Sequence, residues 1–359
     1  MLNSSDEKLS LKDKMTIVIK KQTKNFKLSI FCLIAVCVVT TFALIKKDDK
    51  SLAVADDQSI SDTTFSFVGD IGFSRYVEEE SKKEGYDHFF SRISDNFRNR
   101  DVVFANFESA IIDRNKEYQK PKGHIFLDAK DESLDAIKNA GIDLLSFSNN
   151  HSGDFGPKGT LDTIDVLKDQ KINYIGIGKD VEDAKRPYEF EKDGVKYSIM
   201  AVTDSLKQGQ SARKNKPGVL STKSNEYLNC ANKCSKNSDI TIAYLHSGKE
   251  YTRKIEKKQE KVAHNLIDAG CDVIVGSHTH SILPIEKYKD GIIFYGIGNF
   301  IFDQGAASAT DSMILDMDVD KDKNITFKAK PVKIKSGRPV ISKSKLVNYR
   351  IERRLTKKA

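Results

Sequence analysis

Residues 144–156 read LLSFSNNHSGDFG. Leu144, Leu145 and Phe147 supply an apolar, β-type run that stops at two amides and an imidazole, Asn149, Asn150 and His151, and Pro157 just beyond suits the first turn of a helix. A strand that ends in polar side chains before a helix is the exit expected of an open α/β sheet, whose strands bind ligands at their carboxyl ends. A single exit of this kind would say little, but the chain repeats the pattern.

Working outward, Thr64–Val68 ends in Gly69-Asp70, and Asp101–Phe107 ends around Asn106 and Glu108. Asp239–Leu245 delivers His246, with Glu250 and Tyr251 shortly after, and Asp272–Val275 delivers Gly276-Ser277-His278-Thr279-His280. Ile292–Ile297 ends in Gly298-Asn299-Phe300. Between these runs, apolar spacings of three and four predict helices over Tyr76–Asn99, Ser133–Ala140, Lys158–Gln170 and Glu256–Ala269. Asp193-Gly194 and Lys289-Asp290-Gly291 mark hairpins. Ile125–Leu127 reads as a short strand, Lys207–Leu220 as a surface loop facing the substrate, and residues beyond about 336 as an irregular extension. The alternation of strands and helices places the chain in the α/β class.

The polar residues at these exits are Asp70, Asn106, Glu108, Asn150, His151, His246, His278 and His280. Carboxylate, amide oxygen and imidazole together suit a divalent transition metal, zinc, manganese or iron, as one or two ions. On an extended chain alternate residues point the same way, so the His278-x-His280 pair is expected to converge on one ion. A metal there would lower the pKa of bound water to about 7, which makes hydrolysis the natural chemistry. Asn150 and His151 are then the candidates for acid–base work. His88, His124 and His264 lie away from the exits and read as ordinary structural histidines. Nucleophilic and nucleotide-binding alternatives find no support: there is no G-x-S-x-G elbow or phosphate loop, and Gly176-x-Gly178 is too short for a dinucleotide fingerprint.

Composition adds the compartment. The chain has 359 residues, of which 39% are hydrophobic and 31% charged. Charge is uneven: residues 321–359 carry 14 Lys/Arg and 2 Asp/Glu, while residues 46–320 are acidic on balance. Such a tail is either a solvated surface or a contact for an anionic polymer or lipid, and nucleic acid is not among the expected partners. Leu28–Ile45 is uncharged and apolar over the length of a short membrane span. Lys20, Lys21, Lys24 and Lys27 precede it, which places residues 1–27 in the cytoplasm and everything after residue 46 outside. A cleaved signal peptide is the rival reading, weakened by the 27 residues ahead of the apolar run. The expected organisation is therefore a cytoplasmic segment 1–27, a single span 28–45, a linker 46–63, an extracytoplasmic domain 64–335 and a basic extension 336–359. Cys230 and Cys234 could oxidise to a local disulfide on that side.

Several segments together resemble the CapA proteins of poly-γ-glutamate capsule synthesis, a branch of the calcineurin-like metallophosphatases. They are Val68-Gly69-Asp70, Asn106-Phe107-Glu108, Ser148-Asn149-Asn150-His151 with Asp154, and His246 with Gly248, Glu250 and Tyr251. Gly276 with His278 and His280, and Gly298-Asn299-Phe300 with Phe302-Asp303-Gln304, complete them. The resemblance implies a four-layer sandwich, two mixed β-sheets flanked by helices. It also implies metal-centre residues Asp70, Glu108, Asn150, His151, His246, His278 and His280, and Asn106, Glu250 and Asn299 are assigned to substrate contact. It implies membership of a membrane assembly that polymerises and exports γ-linked glutamate, with separate ligase and membrane subunits and an anionic polymer as partners. Gly72 stands where metallophosphatases carry a histidine, and Ser247, Ser277 and Thr279 replace the tryptophan, histidine and proline usual in the CapA family. Two other functions stay open: a non-catalytic scaffold of the synthase complex, and a metallophosphoesterase unrelated to capsule.

Overall fold

The computed structural model describes residues 63–119, 125–207 and 209–356. The span over Leu28–Ile45, the linker before Thr63 and His124 lie outside the described residues; among those described, no helix is long and apolar enough to cross a membrane.

Two mixed sheets organise the chain. The first runs β18 (Arg338–Ile341), β17 (Ile325–Lys335), β16 (Asp311–Val319), β1 (Thr63–Ile71), β2 (Val102–Phe107), β5 (Leu144–Ser146), β6 (Asn173–Ile175), with β15 (Asn299–Ile301) pairing to β1 as well. The second runs β13 (Ile285–Tyr288), β14 (Gly291–Phe294), β12 (Val273–Ser277), β11 (Ile240–His246), β9 (Val195–Thr203), β8 (Tyr188–Lys192). Two short ribbons, β3 (Ala110–Ile111) with β4 (Asp128–Ala129) and β7 (Ile177–Gly178) with β10 (Gly218–Val219), lie beside them. The helices are α1 (Tyr76–Glu84), α2 (Ser133–Asn139), α3 (Gly156–Asp169), α4 (Val181–Ala184), α5 (Glu226–Asn237), α6 (Lys257–Asp268), α7 (Ala307–Thr310) and α8 (Lys345–Leu355).

Side-chain alternation along the strands sorts these elements into layers. In β1 and β2, Phe65, Phe67, Val102 and Phe104 face the second sheet, while Val68, Val103, Ala105 and Phe107 face helices α1, α2 and α3. In β11 and β12, Ile242, Tyr244, Val273 and Val275 meet the first sheet, and Ala243, Leu245 and Ile274 meet α5 and α6. Three buried interfaces thus separate four layers, helix, sheet, sheet, helix. Strands with apolar residues on both faces can only be interior ones, which is why the central runs read as continuously hydrophobic.

The structure departs from the expected elements in four places, one of them Lys207–Leu220, whose end is not surface loop but the buried strand β10 paired with β7. The stretch Tyr76–Asn99 is not one helix: Gly85, at φ +78°, ends α1, and two short 3-10 turns, Tyr86–Phe89 and Ser94–Asn96, follow. Phe89, Phe90, Ile93 and Phe97 are buried nonetheless, so their spacing reported the core and not the helix type. Residues 125–127 are not a strand; pairing starts at Asp128.

Nor is the chain beyond 336 irregular, since it forms β18 and then α8. Val347, Ile351 and Leu355, at helical spacing, pack into the inter-sheet core, and Arg350 and Arg354 reach the buried carboxylate of Asp311 at 2.8 and 3.4 Å. Lys333 adds a third cation at 2.9 Å, and Lys330 pairs with Asp316 at 2.7 Å. Part of the basic tail is therefore neutralised within the fold. Cys230 and Cys234 lie on α5 with sulfurs 4.0 Å apart and unbonded.

Because Ile351 is fully buried, Ile351→Ala should cost about 2–5 kcal/mol in urea unfolding of the protein. A loss below about 0.5 kcal/mol, typical of surface substitutions, would mean that α8 is a detachable appendage.

Candidate metal centre

Strand register brings the polar exits to one level. Asp70 pairs with Asn106 on one side and Asn299 on the other, Asn106 pairs with Ser146, and in the second sheet His246 pairs with Ser277. All these pairings are parallel, so the strands release their next residues on the same edge of both sheets. A bulge in β1 between Phe67 and Asp70 re-aims the carboxylate. It is possible only with glycine at 69, since a Cβ there would sit 1.8 Å from the Gly298 carbonyl oxygen.

Five residues form two sets of three. Glu108, His246 and His278 make one, Asp70, Glu108 and His280 the other, and within each set the candidate ligand atoms lie within 4.8 Å of one another. Glu108 belongs to both. It is fully buried, and neither carboxylate oxygen has a hydrogen-bond partner. Burial, then the charge of Asp70, push its pKa well above the usual carboxylate range. Nδ1 of buried His278 is likewise unpartnered. Orphaned carboxylate oxygens facing imidazoles are the donor set that a divalent transition metal satisfies, so these residues fit the ion expected of them.

The histidines are individually oriented, as metal-ligating imidazoles are by outer partners. His246 is bonded at Nδ1 to Ser277 Oγ (2.9 Å) and at Nε2 to Asn150 Oδ1 (2.8 Å). His278 Nε2 meets Ser205 Oγ at 2.8 Å, and His280 Nδ1 donates to Asn299 Oδ1 at 2.7 Å. Burial pushes the pKa of His278 down to about 3 and that of His246 well below normal. Burial also opposes charge on His280, but Glu108, Asp70 and Asn299 outweigh it and hold its pKa at about 9.

His151 stands at the rim, its Nε2 4.0 Å from Glu108 and its Nδ1 2.7 Å from Asp154. Burial lowers its pKa, with Asp154 working against that. Asp154 is itself held by the Leu127 amide (3.0 Å), Lys207 Nζ (2.5 Å) and Gln210 Nε2 (3.3 Å). Asn149 fixes the turn: its Oδ1 accepts from the amides of His151 and Ser152, and its Nδ2 donates to Asn106 Oδ1 and the Phe107 carbonyl.

All seven residues expected at the metal centre therefore converge. The reason given for the H-x-H pair does not hold, however. His278 and His280 have φ of +82° and +51°, so the segment is a tight left-handed turn, and each ring joins a different set. Asn106 and Asn299, assigned to substrate, are fully buried, with their amides committed to Asp70 and Asn149 in one case and to His280 and Gln304 in the other. Glu250 is half-buried. At Gly72 a Cβ would meet the Phe302 ring at 2.9 Å, so an aromatic fills the space beside the place of the missing histidine. Ser205, Lys207, Gln210 and Ser277 went unassigned by sequence reasoning. Only Asp154, three residues past His151, carried a local spacing signal.

A family model described as "Bacterial capsule synthesis protein PGA_cap" matches residues 64–304. The chain is 34% identical to "Capsule biosynthesis protein CapA" of Bacillus anthracis, covering 98% of this chain and 87% of that one. It is 32% identical to "PGA biosynthesis protein CapA" of Bacillus subtilis (strain 168), covering 98% and 93%. Among solved structures, a 5'-nucleotidase from Candida albicans aligns with a TM-score of 0.44 at 12% identity, over 83% of this chain and 55% of that one. The chain belongs to the CapA family of bacterial capsule synthesis proteins.

With divalent metal chelated, the stability due to protonated His280 is fully present below its ordinary pKa of 6.5 and is lost as pH rises through about 9. The thermal midpoint of the chelated protein should therefore fall across that window, and the fall should shrink once metal is added. A flat midpoint would sink the charged assignment of His280.

Proposed function

We propose that this chain is the outward-facing, membrane-anchored component of an assembly that polymerises and exports poly-γ-glutamate, and that a divalent transition metal works in its buried centre. The observation that carries the metal half is Glu108, whose two unpartnered oxygens lie between two histidine-containing sets. The capsule half is supported by family membership and by the two CapA relatives, which match nearly the whole chain. The anchor rests on the apolar run Leu28–Ile45 and the lysines before it.

Asp70, Glu108, His246, His278 and His280 are the residues that would hold the metal. When bound, such an ion polarises a carbonyl or phosphoryl oxygen and makes water a nucleophile near neutral pH. The chain's own contribution is proton handling and position. The Asp154 carboxylate can only accept, so His151 carries its proton on Nδ1 and leaves Nε2 free toward Glu108. Burial keeps that ring neutral and able to take a proton. Asn150 holds His246 and, beside His151, lines the same rim. A second reading, a scaffold without catalysis, is favoured by one observation: Gly72 and the Phe302 packed against it remove a histidine from the first motif.

The test is surface γ-linked polyglutamate in cells carrying His151→Ala at matched protein levels, beside a deletion. General acid–base loss predicts a fall of about a hundredfold or more in polymer output. Normal polymer in the variant with loss only in the deletion would favour the scaffold. An unchanged deletion would overturn the capsule reading.

A further inference from the structure

Away from the metal centre, a cavity of about 290 Å³ is bordered by α1, the turn Tyr86–Phe89 and the β17–β18 hairpin. Tyr76, Glu80, His88, Arg92, Lys335 and Arg338 contribute to its lining. Lys335 and Arg338 are opposite partners of the antiparallel pair, so their side chains leave the hairpin on the same face. Arg338 Nη2 donates to Ser91 Oγ at 2.8 Å, but its Nε is buried with no hydrogen-bond partner. Among the described residues, no carboxylate lies within ion-pair distance of Arg92, Lys335 or Arg338, although the charge of Glu84 acts on Arg338. Glu80 lies 3.6 Å from Lys83, and His88 lies 3.7 Å from Glu84.

Nearby in the C-terminal region, Lys330, Lys333, Arg350 and Arg354 are instead neutralised by Asp316 and Asp311. The charge of Arg92 acts against that of Arg338, and Glu84 offsets it only in part without coming within ion-pair distance. A planar guanidinium fork is the donor that a carboxylate or phosphate satisfies in two contacts.

A second cavity, of about 360 Å³, shares Tyr76 and Ser336 with the first and extends to Asp303 and Gln304. Gln304 accepts from Asn299 Nδ2 at 2.9 Å, and Asn299 holds His280. The two cavities therefore form a connected lining from beside the metal centre to the basic cluster.

We infer that the basic cavity binds a carboxylate of an extended polyanion whose chain follows the second cavity toward the metal centre. The inference rests on the capsule-polymer reading for the identity of that polyanion.

Binding of a short γ-linked oligoglutamate, and separately of inorganic phosphate, to the full chain tests it by calorimetry. Loss of charge-assisted hydrogen bonds in Arg92→Gln/Arg338→Gln should weaken the oligoglutamate by about tenfold or more. Lys168→Gln/Lys171→Gln, which removes the same charge elsewhere, should leave its affinity nearly unchanged. Arg92→Gln alone, whose side chain makes no hydrogen bond or ion pair here, keeps the test readable should the Arg338 variant fail to fold. An unchanged affinity in the Arg92 variant, or an equal loss in the lysine control, overturns the site while the capsule reading stands on its own cellular test. Arginine-dependent binding of phosphate without oligoglutamate overturns the polymer assignment.

Discussion

A carboxylate sealed from water with neither oxygen hydrogen-bonded is costly to hold, by about 1–3 kcal/mol for each unsatisfied group or more when it is charged. Glu108 is held in that condition at the end of β2, between Asp70 and three histidines. Burial and the charge of Asp70 raise the pKa of Glu108, and Glu108, Asp70 and Asn299 raise that of His280, so protons held on these groups relieve part of that cost. A divalent cation would relieve it more completely, since the Nδ1 of His278 is unpartnered as well.

The surrounding structure serves to keep that arrangement from relaxing. Asn149 pins the loop after β5 through five hydrogen bonds to His151, Ser152, Asn106 and Phe107, Ser277 and Asn150 bracket His246, and Asn299 locks His280. None of these partners is interchangeable with an apolar residue, since each satisfies a buried group that would otherwise be left bare. The parallel register of two separate sheets makes this possible by bringing residues as distant as Asp70 and Asn299 to one level.

Much of this was legible in the sequence because strand exits announce themselves: an apolar run ends and a ligand-bearing residue follows. That rule singled out Asp70, Glu108, Asn150, His151, His246, His278 and His280 individually. It failed where backbone conformation decides direction, since nothing in Ser277–His280 signals positive φ at two histidines. It failed again at Tyr76–Asn99, where 3-10 turns bury the same spacing that a helix would, and Gly85 was the overlooked break. The lysines and arginines beyond residue 336 hid the stripe Val347, Ile351 and Leu355, whose partner core is made by strands far earlier in the chain. Ser205 and Lys207 reach the centre from a loop without periodicity, and only tertiary proximity reveals them.

The pairing of β1 has a consequence for how the molecule comes into being. Its neighbours are β2, made soon afterwards, and β15 and β16, made more than two hundred residues later. Pairings so remote in sequence form late, after the loop between them has closed. A growing chain therefore carries Asp70 and Glu108 for most of its synthesis while His280 and Asn299 do not yet exist, and one edge of β1 stays open. The partly made protein has neither a finished sheet nor the converged residues of the proposed metal site, which assemble only once β15 and β16 have been made.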